Sequence, residues 1–163
     1  MGSDRRLADL VRLIETGSGN DLWYGGATVL GSLRGVKAGE AAWRPAPDRH
    51  SIWALVLHIA YWQYAVRRHL TNEPSGGFDR SPANFPAVPD PGTESSWRAD
   101  KTLLRQERGR LVEAVRGFDV RKLDSPVPDS TKWRYADLLY GIVMHDTYHV
   151  GQIQMLKRLY ASR

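Results

Sequence analysis

Apolar residues recur at helical spacing in four segments of the chain, and nowhere do they alternate strongly enough to read as a strand. The first segment starts after Ser3, a plausible N-cap by residue type, and runs through DRRLADLVRLIET. There Leu7, Leu10, Val11 and Ile14 form an i, i+3, i+4, i+7 stripe. Gly17, Gly19, Gly25 and Gly26 then mark a kink or short loop, after which LWYGGATVLGSLRGV reads as the helix resuming at an angle. The stretch KAGEAAWRPAPDRH reads as a loop, because Arg44 and Ala46 each precede a proline and are biased away from the helical region. Ser51 is placed to cap the second helix, IWALVLHIAYWQYAVRRHL, which is expected to end near Leu70. The third is SSWRADKTLLRQERGRLVEAVRGF, with Leu103, Leu104, Leu111, Val112 and Val115 inside. A loop, DVRKLDSPVPDS, leads to the fourth, from about Thr131 to Ala161. The pattern predicts an all-α four-helix bundle.

Between the second and third helices lie residues 71–94, with five prolines, three glycines and no period. A connection this long needs a role in a compact domain. One role is geometric, since a long crossover lets two consecutive helices run in the same direction. The other is functional, a lid carrying Phe78, Phe85 and Trp97 near a pocket.

Composition narrows the chemistry. A length of 163 residues suits one domain with a single sizeable core. There is no cysteine, so disulfides, thiolate metal sites, iron–sulfur clusters and cysteine nucleophiles are excluded. The N-terminal stretch lacks the apolar run of a secretion signal, and IWALVLHIAYW is too short to span a bilayer, so a cytoplasmic protein without a membrane partner is expected. The net charge of +5 permits an anionic partner, but the basic residues are spread along the chain in short clusters that suit a solvated helix face. No recognition helix, stacking array or basic stripe supports nucleic-acid binding, which ranks last among the functional classes.

The histidines carry the chemistry. On the fourth helix Leu138, Ile142, His145, His149, Ile153, Leu156 and Tyr160 follow one another at steps of three or four, which places two histidines on the inward stripe. Side chains at i and i+4 have Cβ atoms roughly 5–6 Å apart, close enough for both imidazoles to reach one ion. On the second helix Leu55, His58, Trp62 and Ala65 share a face, so His58 also looks inward. Three such histidines can make a facial site with a position left for water or substrate. The plainer reading stands beside it: a lone histidine on an apolar face is usually a core residue with a hydrogen-bond partner. His69 lies eleven residues beyond His58, too far along the helix to share its ion, and His50 precedes the helix. Both read as structural or solvent-facing.

RPAPDRHSIWALVLHIAYW followed much later by HDTYHVGQIQMLKRL resembles the DinB/YfiT-like superfamily of metal-binding bundles. The resemblance covers nearly the whole chain. LWYGGATVLGSLRGVKAGEAAWRP is similar to the family's opening helix and Trp–Gly element, and FPAVPDPGTESSW to its crossover; the most specific part is the closing His-x-x-x-His-x-Gly-Gln. It implies an up-down-down-up bundle and a divalent ion, zinc or nickel, held by one histidine of the second helix and two of the fourth. Those positions are His58, His145 and His149. Characterised relatives include thiol-dependent S-transferases and a thiol-dependent maleylpyruvate isomerase, while many members have no demonstrated activity; the family name reflects a damage-induced gene.

The expected function is therefore that of a metal-dependent enzyme of S-transferase or hydrolase type acting on a small molecule. A low-molecular-weight thiol is a candidate cosubstrate. The alternative is a non-catalytic, stress-related metal-binding bundle. Trp23 and Trp62 are candidates to wall the pocket, and Asp146 and Gln152 to orient a ligand or an imidazole, each having a plainer role as a surface or inter-helix hydrogen-bonding residue. The six tryptophans leave apolar surface to spare, which suggests a homodimer.

Overall fold

The computed structural model describes residues 5–15, 25–128, 130 and 132–163. Ser3, Trp23 and the expected kink at Gly17 and Gly19 lie outside them. Six α-helices are present among the described residues: α1 (Arg5–Glu15), α2 (Val29–Ser32), α3 (Ala38–Ala42), α4 (Ile52–Thr71), α5 (Glu94–Arg116) and α6 (Tyr135–Ala161). There is no strand among them, only an isolated bridge between Pro126 and Arg134. The four expected segments are α1, α4, α5 and α6. Of the helix expected to resume over 22–36, the described residues form only the single turn α2, which ends before Gly35 at a φ of +79°. Conversely, the expected loop 37–50 contains α3, whose first turn is capped from a distance when the Glu94 carboxylate accepts the Ala38 N–H at 2.7 Å. No local pattern announces a cap supplied from 56 residues away.

Helix ends follow their capping residues. The Ser51 hydroxyl accepts the Ala54 N–H at 3.1 Å, and α4 stops where Asn72 turns left-handed at φ +55°. Thr93 caps α5 through the Ser96 N–H. The last helix begins four residues later than expected, because the chain before it closes back on itself. The Val127 N–H bonds the Trp133 carbonyl, and those of Tyr135 and Ala136 bond the carbonyls of Ser125 and Leu123. Asp137 then accepts the Arg134 N–H at 2.9 Å and caps the first turn.

Helix α4 is buried on nearly every side, packed against α5, α6 and α3, while α1 lies on α5 and α6 and α2 on α6. The core falls into two apolar clusters. One is built on Trp53, Leu57, Trp97, Leu104 and Ile153, and the other on Leu10, Ile14, Leu111, Val115 and Leu139. A polar layer separates them on all three long helices: Gln63 on α4, Glu107 and Arg108 on α5, and Asp146 on α6 are all buried. Each makes at least one hydrogen bond, with Gln63 Oε1 left as a buried atom without a partner among the described residues. Gln63 Nε2 donates to Asp146 Oδ2 at 2.7 Å, Arg67 Nε to Glu107 Oε2 at 3.3 Å, and Arg108 to the Ile14 carbonyl at the end of α1.

The 72–93 crossover is tied down along its length. Arg67 pairs with Glu73, Phe78 packs on Tyr61 and Tyr64, and Arg80 Nε bonds the fully buried Asp100 at 2.9 Å. The other oxygen of Asp100 accepts Trp53 Nε1 at 2.8 Å. No described helix is long and apolar enough to cross a membrane.

Candidate metal centre

Helices α4 and α6 bring His58, His145 and His149 together, with one ring nitrogen from each lying within 4.8 Å of the others. The three rings are mutual neighbours, their centroids 4.4 to 4.9 Å apart. His58 and His149 are buried, and His145 is half-buried at the solvent edge. Among the described residues this is the one group of three or more His, Asp or Glu side chains placed to hold a metal ion.

The tautomers can be read from the partners. His58 Nδ1 faces the Asn84 backbone carbonyl at 2.7 Å, His145 Nδ1 faces Asp146 Oδ1 at 3.3 Å, and His149 Nδ1 faces Gln152 Oε1 at 2.6 Å. A carbonyl or carboxylate oxygen can only accept, so all three Nδ1 atoms donate and each neutral ring turns its Nε2 lone pair inward. His145 Nε2 and His58 Nε2 lie 3.0 Å apart. Two bare nitrogens at that distance repel unless a proton or a cation is shared between them. Ligands of a tetrahedral ion at about 2.0–2.1 Å sit roughly 3.3 Å from each other. The donor set therefore fits a divalent cation.

Electrostatics keeps the rings ready as ligands. Burial pushes the His58 pKa down to about 4; the Asn84 hydrogen bond opposes this, and His149 and His145 lower it further. His149 is also held below its ordinary value, first by burial and then by His145, against the opposing bond to Gln152. A deprotonated imidazole is the form that binds metal. Behind His145, the Asp146 carboxylate faces Gln63 Nε2 through its other oxygen and feels the buried Arg108 cation.

Asp146 and Gln152 thus each contact a ring nitrogen, and Gln152 Nε2 reaches the Tyr148 hydroxyl at 3.1 Å. Trp62 stands at the rim and is exposed, not inward as the face it shares with His58 predicts. Its ring centroid is 6.4 Å from that of His58 and 6.2 Å from that of His145, and its Nε1 donates to Asn84 Oδ1 at 2.9 Å. Of the three expected lid aromatics only Phe85 reaches the site, stacked on His58 at 4.0 Å with His50 on its other face at 4.0 Å. Phe78 packs on α4 tyrosines instead. Trp97 is fully buried against Trp53 and donates to the Val36 carbonyl. His69, in the last turn of α4, takes no part.

The inward stripe of α6 is rotated from the expected one. Leu139, Asp146 and Val150 are buried, whereas Leu138 and His145 are half-buried at its edge. A helix apolar on several faces does not declare which one turns in. Sequence reasoning also missed Gln63, although an amide inside the apolar run YWQYAV is the same kind of signal as the histidines. Asn84 carried no signal. Its left-handed φ of +69° aims the carbonyl at His58, and only the folded crossover reveals that.

A family model described as the DinB superfamily matches residues 25–153, a span that contains all three histidines and their Nδ1 partners. No curated protein and no solved structure matches the chain at a significant level. With well over half of its length matched by that model, the chain belongs to the DinB superfamily.

Proposed function

We propose that His58, His145 and His149 hold a zinc or nickel ion with a coordination position left open, and that the protein uses it as a thiol S-transferase or hydrolase on a small molecule. The observation that carries this reading is the commitment of every Nδ1 to an acceptor, which leaves three Nε2 lone pairs with one focus. Bound there, the ion supplies Lewis acidity, favouring the conjugate base of a water or thiol near neutral pH. The protein's own groups do the rest. Asn84, Asp146 and Gln152 fix the ring orientations by accepting from the three Nδ1 atoms, and Phe85 keeps water from one face of His58. Access is from the side of His145 and Trp62, the solvent-reaching members of the cluster. The chain has no cysteine, so any sulfur nucleophile comes from a cosubstrate.

Metal analysis of protein purified without a histidine tag or added metal tests the ion, and is expected to give about one equivalent of zinc or nickel per chain. Turnover of a model electrophile with a panel of low-molecular-weight thiols, and of a model ester without thiol, tests the reaction. Background rates throughout would leave the second reading, a non-catalytic metal-binding protein. That reading has its own support in the way the histidines join α4 to α6 while Phe85 covers His58. It predicts a metal-dependent melting temperature without turnover.

A further inference from the structure

Helices α4 and α6 meet at the metal centre through contacts that pull in opposite directions. His58 Nε2 and His145 Nε2 face each other at 3.0 Å, and with both Nδ1 atoms donating elsewhere these are two lone pairs that repel. Five residues further along α4, roughly 7.5 Å, the Gln63 amide reaches across to α6 and donates to Asp146 Oδ2 at 2.7 Å. Asp146 is the chain neighbour of His145, so this bond closes the gap that the rings would open.

Two observations give Gln63 a role beyond packing. The first is its cost. Gln63 is fully buried, and while its Nε2 is bonded, its Oε1 has no partner among the described residues. A buried acceptor left so costs about 1–3 kcal/mol, and Asp146, also buried, would cost as much if its Oδ2 lost the amide. An apolar pair at positions 63 and 146 would carry neither cost, so packing alone does not account for the amide. The second observation is the inequality of the two contacts that Asp146 makes. The one to Gln63 is short at 2.7 Å, and the one to His145 Nδ1 is long at 3.3 Å. The shorter bond sets the plane of the carboxylate, and Oδ1 is thereby left facing the ring. Control runs from Gln63 through Asp146 to His145. That ring needs it most, since His145 is half-buried at the solvent edge while His58 and His149 are held inside.

We infer that Gln63 is a positioning residue of the metal centre, turning Asp146 toward His145 Nδ1 and tying α4 to α6 so that the three imidazoles stand ready as ligands before any ion binds. The inference rests on the metal-binding reading above, and its tests separate the two.

In chelator-treated wild type at about pH 8, heteronuclear NMR of the imidazoles should show His145 as the Nδ1–H tautomer. Gln63→Met, close in volume and free of the unpaired oxygen, should let the Nε2–H form appear, because the carboxylate is no longer held. Its zinc affinity, by competition with a chromogenic chelator, should fall about 10–100-fold while helical circular dichroism is unchanged. Gln63→Glu sets one carboxylate against another and should lose at least as much. Adding Asp146→Asn to it rebuilds the bond with its direction reversed, the introduced amide donating to position 63 and still accepting from His145. That pair should bind zinc about tenfold tighter than Gln63→Glu alone, a rescue that a space-filling residue would not show. Should Gln63→Met fail to fold, the rescue decides by itself. An unchanged tautomer in Gln63→Met, an unchanged affinity, or no gain in the pair over Gln63→Glu would each overturn the inference. Wild type that takes up neither zinc nor nickel would sink the metal reading instead, and the tautomer comparison would still decide the role of Gln63.

Discussion

Acid should destabilise the metal-free protein through His58, and a single substitution should isolate the effect. In the unfolded chain the imidazole protonates near its ordinary 6.5, whereas in the fold burial holds it to about 4. Between those values the unfolded state binds a proton that the folded state refuses, so stability falls as pH falls. The penalty is absent above pH 6.5, grows through the window from 6.5 to 4, and is complete below it. At about 1.4 kcal/mol per pH unit, the gap is worth roughly 3 kcal/mol. That is a large share of the ~5–15 kcal/mol that holds a typical domain together. His58→Asn removes the titration while leaving an amide able to donate to the Asn84 carbonyl as Nδ1 does. Urea unfolding of chelator-treated wild type and H58N, at half-unit steps from about pH 7.5 to 4, gives the comparison. The wild type should lose about 3 kcal/mol more than the variant across the window. Parallel pH profiles would refute the reasoning, because the buried ring would then be accepting its proton as readily as a solvated one.

Three further outcomes are expected. Asp146→Asn should weaken metal binding about 10–100-fold in competition with a chromogenic chelator, by removing the charge behind His145; an unchanged affinity would show that the carboxylate serves only Gln63. Gly92→Ala should cost about 1–3 kcal/mol in urea unfolding, since its Cβ would stand 2.9 Å from Cζ3 of the fully buried Trp53. No loss would mean that the crossover yields where it meets the core. Leu104→Ala should cost about 2–5 kcal/mol by leaving a cavity in the tryptophan cluster. The metal content of that variant should match wild type, and a drop would indicate that the cluster and the site are mechanically linked.

Elements whose signals are local can be read from the amino-acid order alone. A 3.6-residue period, a Ser51 cap and the punctuation of TNEPSGG place α4 almost to the residue, and the same period sets His145 one turn from His149. Such signals depend only on neighbours a few positions away. The tertiary structure decided everything that depends on residues distant in the chain. It chose which of several apolar faces of α6 turned inward, which made Asp146 a buried partner of Gln63 and left Met144 and Tyr148 in the open. It laid Asn84 and Phe85 across His58 from a proline-rich segment with no period to read. It also set Glu94 from the start of α5 onto the first turn of α3. Periodicity reports that a helix has a buried side. The matching of volumes and hydrogen bonds among helices far apart in sequence selects that side, and that matching exists only once the helices have met.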